Sequence, residues 1–315
     1  MREICSVANI SLSAPDSAYF SFSNSPYIGH RNASAVDIYP IEGEWGCSIP
    51  SPVEGEVVAI RKARMGRKRE FVTADFDYAI GIRPSCNPDY VVRVLHCKPE
   101  VKIGDTMNLL GHLGEAIRSR YFNFWTGPHY HTEVMHGTDF ARSSQSIPLN
   151  IPPTHISSSK PDSGNPHVNI IEVTEDRILA TGGFGHARLN NRLFGHLVHT
   201  DQQPSFGLLD GGIPHYELAG CLGSEDVNQP DLYKWSRFVV GRIASNLEEP
   251  SRFVTNDKLD FKLGKYRIRG LSFYIFSEYN LIKGEVPLIL IPNEYGGFVD
   301  KFQAGDIAEL HAEGH

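Results

Sequence analysis

The sequence predicts a mainly β protein built as two domains. Three observations predict this. The 29 glycines and 20 prolines are scattered through 315 residues without a period, so they break the chain into short segments joined by turns. Those segments alternate between apolar and polar residues, or run apolar over the length of a strand. Only one stretch carries the spacing of an amphipathic helix. The length itself exceeds that of a usual single domain and favours two.

Taken in order, the first half offers "VEGEVVAI" (Val53 to Ile60), "YAIGIR" (Tyr78 to Arg83) and "YVVRVLH" (Tyr90 to His96), each bounded by Gly, Pro or Asn. An antiparallel sheet or barrel-like domain over residues 1–142 is expected from them. Ser143 to His167 holds seven serines and five prolines among 25 residues, which disfavours both a helix and a central strand, and reads as a linker. A second β-rich domain follows over 168–315, with strands in "VNIIEV", "RILATG", "KYRIRGLSFYIFSEY" and "VPLILIP". The expected helix is Asp231 to Glu249, where Leu232, Trp235, Phe238, Val239 and Ile243 recur at helical steps behind an Asp N-cap.

Composition narrows the function classes. A formal charge of −7 gives the surface as a whole no affinity for polyanions, so no nucleic-acid partner is expected. The five cysteines are odd in number, dispersed, and include no C-x-x-C pair, which signals neither a disulfide framework nor a thiolate metal site. No apolar run is long enough to span a membrane. The opening "MREICSVANISLSAPDSAYF" has no apolar export signal, which places the chain in the cytoplasm by default, or outside the cell if a leader has been removed. Composition sets no oligomeric state.

The chemistry concentrates in "TGPHYHTEV", residues 126–134. On a strand, residues two apart share a face, so His129, His131 and Glu133 project together and Tyr130 points away. By itself the pair is either a set of metal-site imidazoles or two polar residues on one strand. A hydrolytic zinc site needs about three nitrogen or oxygen ligands and an open position. A second imidazole, His30, and a carboxylate, Asp37, stand in "YIGHRNASAVDIYP".

The succession "HRNASAVD", "SPVEGEVVAI", "VKIGDTMNLLGHLG" and "TGPHYHTEV", over about Tyr27 to Met135, resembles the lysostaphin/LytM-type zinc metallopeptidases. The resemblance implies that one zinc per chain is held by His30, Asp37 and His131, with His96 and His129 as catalytic histidines off the metal. It further implies an endopeptidase in which a metal-bound water hydrolyses a peptide bond in a peptide or peptidoglycan-like substrate, such as a cell-wall cross-link. The alternative is a non-catalytic relative that binds or regulates. Six residues separate His30 from Asp37, where the commonest family pattern has three. The second half resembles no family.

Other features read more plainly. His112 is expected to be structural and His136 to face solvent. His186, His196, His199 and Asp201 are expected to be ordinary surface or core residues. "RKARMGRKR", Arg61 to Arg69, reads as a solvated hairpin tip, with an anchor for an anionic polymer as the sharper alternative. Tyr121, Phe122, Phe124 and Trp125 either line a groove or cap a core.

Overall fold

The computed structural model describes residues 1–41, 43–137, 142–152, 154–201, 206–223, 232–243 and 251–314. Among these the protein is mainly β, and its only α-helix is a single turn. The chain divides into two compact units. One comprises Met1–Phe20 with Tyr27–Pro152, and the other Ser21–Pro26 with Pro153–His315.

The first unit begins with a hairpin of β1 (Arg2–Val7) and β2 (Ile10–Ala14). It continues through β3 (Tyr19–Ser21), the helical turn α1 (Ile28–Arg31), β4 (Ala35–Tyr39), β5 (Ser48–Pro50), β6 (Gly55–Arg64), β7 (Phe76–Pro84), β8 (Tyr90–Leu95), β9 (Cys97–Pro99), β10 (Thr106–Met107), β11 (His112–Ala116) and β12 (Tyr130–His136). Seven strands form the main sheet in the order β10-β6-β7-β8-β12-β4-β3, and β5-β11-β9 form a smaller one. The central strands β4 and β12 are apolar, polar and apolar in turn, yet every residue of β4 and all but the last of β12 are buried. Strands covered on both faces must satisfy any polar side chain internally. That requirement makes the polar residues of β4 and β12 informative.

Among the described residues the second unit holds one extended sheet of fifteen strands between Ile156 and Gly314. Its core is aromatic: Trp235 lies 4.6 Å from Phe184 and 5.1 Å from Phe273 between ring centroids, and Tyr233 stacks on Phe253 at 4.5 Å. This core overturns the helix expected at Asp231 to Glu249. Leu232–Trp235 and Phe238–Ile243 are instead an antiparallel hairpin, turned through Ser236 at φ 52°. Tyr233 and Trp235 point inward with Phe238 and Val240, a two-residue period. Burying both rings in the sheet outweighs the helical spacing. Asp231 and 244–249 lie outside the described residues.

Ser21–Pro26, although early in the sequence, belongs to this second unit. The buried Asp210 carboxylate accepts hydrogen bonds from Ser21 Oγ (2.5 Å) and from the N–H groups of Phe22 (2.7 Å) and Ser23 (3.1 Å). Asp210→Ala strands those three donors away from water. We expect a loss of about 3 kcal/mol, read as a lower urea midpoint, and an unchanged midpoint would refute the clamp.

Candidate metal centre

Strand register builds the site. In the β12–β4 ladder His131 lies directly opposite Asp37 and Glu133 opposite Ala35. In the β12–β8 ladder Glu133 lies opposite Arg93. Cross-strand partners lie close enough for side chains to bond, so two pairings assemble an imidazole, two carboxylates and a guanidinium. His30 arrives from α1, where Arg31 N–H and Asn32 N–H bond back to the carbonyls of Tyr27 (3.1 Å) and Ile28 (2.9 Å). The turn ends at Ala33, in the left-handed region at φ 57°, and the chain then enters β4. This turn takes up the six-residue spacing between His30 and Asp37.

The structure brings together all five residues singled out from the sequence. His30, Asp37 and His131 are buried, each offering one ligand atom within 4.8 Å of the others. His131 Nδ1 is 2.7 Å from Asp37 Oδ1, His30 Nε2 is 3.2 Å from the same oxygen, and the two nitrogens are 3.2 Å apart. Four ligands at zinc-like bond lengths in a tetrahedron stand about 3.3 Å from one another. The triangle is close to one face of that figure, so the donor set fits a small divalent ion.

Protonation follows from the surroundings. Burial alone would raise Asp37, but the imidazoles of His30, His129 and His131 hold its carboxyl well below the usual range. Burial would lower His131, yet its bonds to Asp37 and Glu133 outweigh that and raise it to about 9. His131 Nε2 donates to Glu133 Oε1 at 2.7 Å, which turns Nδ1 towards His30 and Asp37. Glu133 is fully buried and also accepts from Arg93 Nη2 (2.5 Å), Ser143 Oγ (3.0 Å) and Ser146 Oγ. Against burial, His131, Arg93 and Ser146 bring it down to about 2. Gly29 permits this packing, because a Cβ there would stand 2.6 Å from Glu133 Oε1.

His129 and His96 lie beside the triangle. His129 Nδ1 donates to the Gly127 carbonyl at 2.9 Å, and its Nε2 is 3.7 Å from Asp37 Oδ2. Burial pushes His129 down to about 4, so the ring is neutral at pH 7. His96 follows the end of β8 at φ 66°, a conformation that turns its ring out of the strand's alternation. Its centroid is 5.2 Å from that of His129 and 6.1 Å from that of His131. Phe122 packs against both His96 (4.5 Å) and His129 (5.1 Å).

Sequence reasoning missed Asp77, Ser119 and Arg93. Asp77 Oδ2 accepts from His96 Nδ1 and from Ser119 Oγ, both at 2.7 Å. Burial opposes ionisation of Asp77, but His96, Ser119 and the Tyr78 N–H lower its carboxyl below the ordinary value of 3.8. A carboxylate depressed on folding adds stability above its unfolded pKa and loses it as the pH falls below about 4. Asp77→Asn is therefore expected to flatten the fall of Tm below that pH, and parallel profiles for variant and wild type would refute it. The available signal for Arg93 was a charge inside the apolar run "YVVRVLH", which requires a buried partner.

The remaining candidates do not join the site. His112 bonds Ser48 Oγ and Glu100 on the surface, and exposed His136 packs edge-on against Tyr90. His196 and His199 donate to separate carbonyls, those of Pro287 and Ser236. Tyr121 stacks on Tyr27 with centroids 4.4 Å apart, while Phe122 and Phe124 are buried. A cleft of about 530 Å³ opens over His96 and His131, walled by Tyr27, Tyr121, Arg61, Lys62 and Arg142.

Among known proteins, a family described as "Domain of unknown function (DUF8155) N-terminal domain" matches residues 10–151. None of the curated proteins matches the sequence. Among solved structures, the NMR solution structure of lysostaphin is similar over 76% of this chain and 88% of its own, at 14% identity and a TM-score of 0.29. No helix among the described residues is long and apolar enough to cross a membrane.

Proposed function

We propose that this chain is a zinc-dependent metalloendopeptidase acting on a peptide or peptidoglycan-like substrate, with its centre in the first unit. The observation that carries the reading is the triangle of His30 Nε2, Asp37 Oδ1 and His131 Nδ1, with edges of 3.2, 2.7 and 3.2 Å, beside two imidazoles outside it. His30, Asp37 and His131 would hold the ion. When bound, zinc supplies Lewis acidity towards a peptide carbonyl and lowers the pKa of water.

The chain's own residues do the rest. The bond of His131 Nε2 to Glu133 aims Nδ1 at the metal position, and Arg93 keeps Glu133 ionised. His129 is neutral and has committed Nδ1–H to Gly127, so Nε2 is left to accept a proton beside Asp37. His96 is oriented by Asp77 as an imidazole is by its carboxylate in an acid–base pair, leaving Nε2 to accept or return a proton. His96 lines the cleft and His129 stands behind it with ring centroids 5.2 Å apart, which suits a reaction that moves a proton from water to a leaving amine.

The test is metal analysis of chain purified without chelator, paired with hydrolysis of peptide cross-link substrates before and after chelation. We expect one zinc per chain, and activity that chelation removes and zinc restores. Absence of zinc, or hydrolysis indifferent to chelation, would overturn the proposal.

A further inference from the structure

The walls of the cleft carry a charge that the metal centre does not use. Two carboxylates line it, and both are engaged: Asp77 by His96 and Ser119, Glu133 by His131 and Arg93. Three further cations, Arg61, Lys62 and Arg142, line the same space and are exposed. Among the described residues neither Lys62 nor Arg142 has a carboxylate partner. The β6–β7 register sets Lys62 opposite Tyr78, and its ammonium lies 4.0 Å from the Phe76 ring centroid and 5.5 Å from that of Tyr78. The positive wall belongs to a chain whose formal charge is −7, so it is a local feature and not a general property of the surface.

We infer that the cleft selects acidic peptides, with side-chain or terminal carboxylates of the bound segment lying along Lys62 and Arg142 while its backbone passes the His30, Asp37 and His131 triangle. Like charges gathered along one cleft sum their fields, so the wall attracts an anionic partner more than a single exposed cation would. The choice of a peptide over another polyanion rests on the peptidase reading, and the selection for carboxylates rests on the wall alone.

The experiment measures binding of fluorescently labelled equal-length peptides, glutamate-rich, glycine/serine-rich and lysine-rich, together with an oligothymidylate, to the full chain by anisotropy. We expect the glutamate-rich peptide to bind about tenfold or more tightly than the neutral one, with the preference shrinking as salt screens it. The double variant Lys62→Glu/Arg142→Glu, in which both changes lie on exposed side chains, should erase the preference. Equal or undetectable binding of the acidic and neutral peptides, a preference unchanged in the double variant, or tighter binding of the oligothymidylate would each overturn the inference. Zinc content and hydrolysis are read separately. A charge preference in a chain that holds no zinc leaves the selection for carboxylates standing while the peptidase reading falls, and zinc-dependent hydrolysis indifferent to substrate charge does the reverse.

Discussion

His131→Ala is expected to take the zinc content from one per chain to none and to lower peptide hydrolysis by about three orders of magnitude or more. The side chain contributes one corner of the triangle through Nδ1 and links to the outer carboxylate through Nε2. Two ligands, His30 and Asp37, are too few for a site that needs about three from the protein. The metal-free variant should also be less stable, because Asp37 and Glu133 both lose the imidazole they share and remain buried as carboxylates. His112→Ala is the matching control. That ring bonds Ser48 and Glu100 at the surface, so its loss should leave zinc in place. Full zinc occupancy in His131→Ala, measured by elemental mass spectrometry, would sink the ligand assignment.

Glu133→Ala is expected to cost about 3–5 kcal/mol of stability, because it leaves the Arg93 guanidinium buried without its carboxylate. Ser143, Ser146 and His131 lose an acceptor at the same time. Glu133→Gln keeps the shape and removes the charge. It should weaken zinc binding by about 10–100-fold, since a carboxylate behind a ligating imidazole both orients the ring and strengthens it as a donor. The pH dependence follows in sign. Glu133 is depressed from 4.5 to about 2, so its contribution is complete above 4.5 and is lost as the pH falls towards 2. Denaturant titrations at neutral pH and near pH 3 should therefore converge for wild type and Glu133→Gln at the acid end. A gap that stays constant with pH would show that the carboxylate's charge is not what stabilises the site.

The route from sequence to site was uneven for physical reasons. Strand period and turn residues are local, and a one-dimensional reading captures them: "YVVRVLH" is a strand up to Leu95, and "YHTEV" lies on one, although His129, expected to share that strand, stands just before its first residue. The pairs that orient the imidazoles are not local. Asp77 and His96 stand 19 residues apart, and Arg93 and Glu133 40 apart, so only the order of β7, β8 and β12 in the sheet makes them neighbours. The helix expected around Trp235 failed for a related reason. Large apolar residues satisfy a helical and a two-residue period over a short run, and the ring cluster of Phe184, Phe253 and Phe273 selects between them.

By itself the sequence determined that the protein is mainly β, and it singled out two stretches, one with His30 and Asp37 and one with His131, as candidate metal ligands. The tertiary structure decided what chain connectivity does not encode. It set His131 opposite Asp37 and brought their ligand atoms and that of His30 within 4.8 Å. It turned His96 out of its strand towards Asp77, and it gave Ser21–Pro26 to the second unit through Asp210. Each of these depends on desolvation and register between distant segments. A buried polar group finds its partner across the sheet, wherever in the sequence that partner lies.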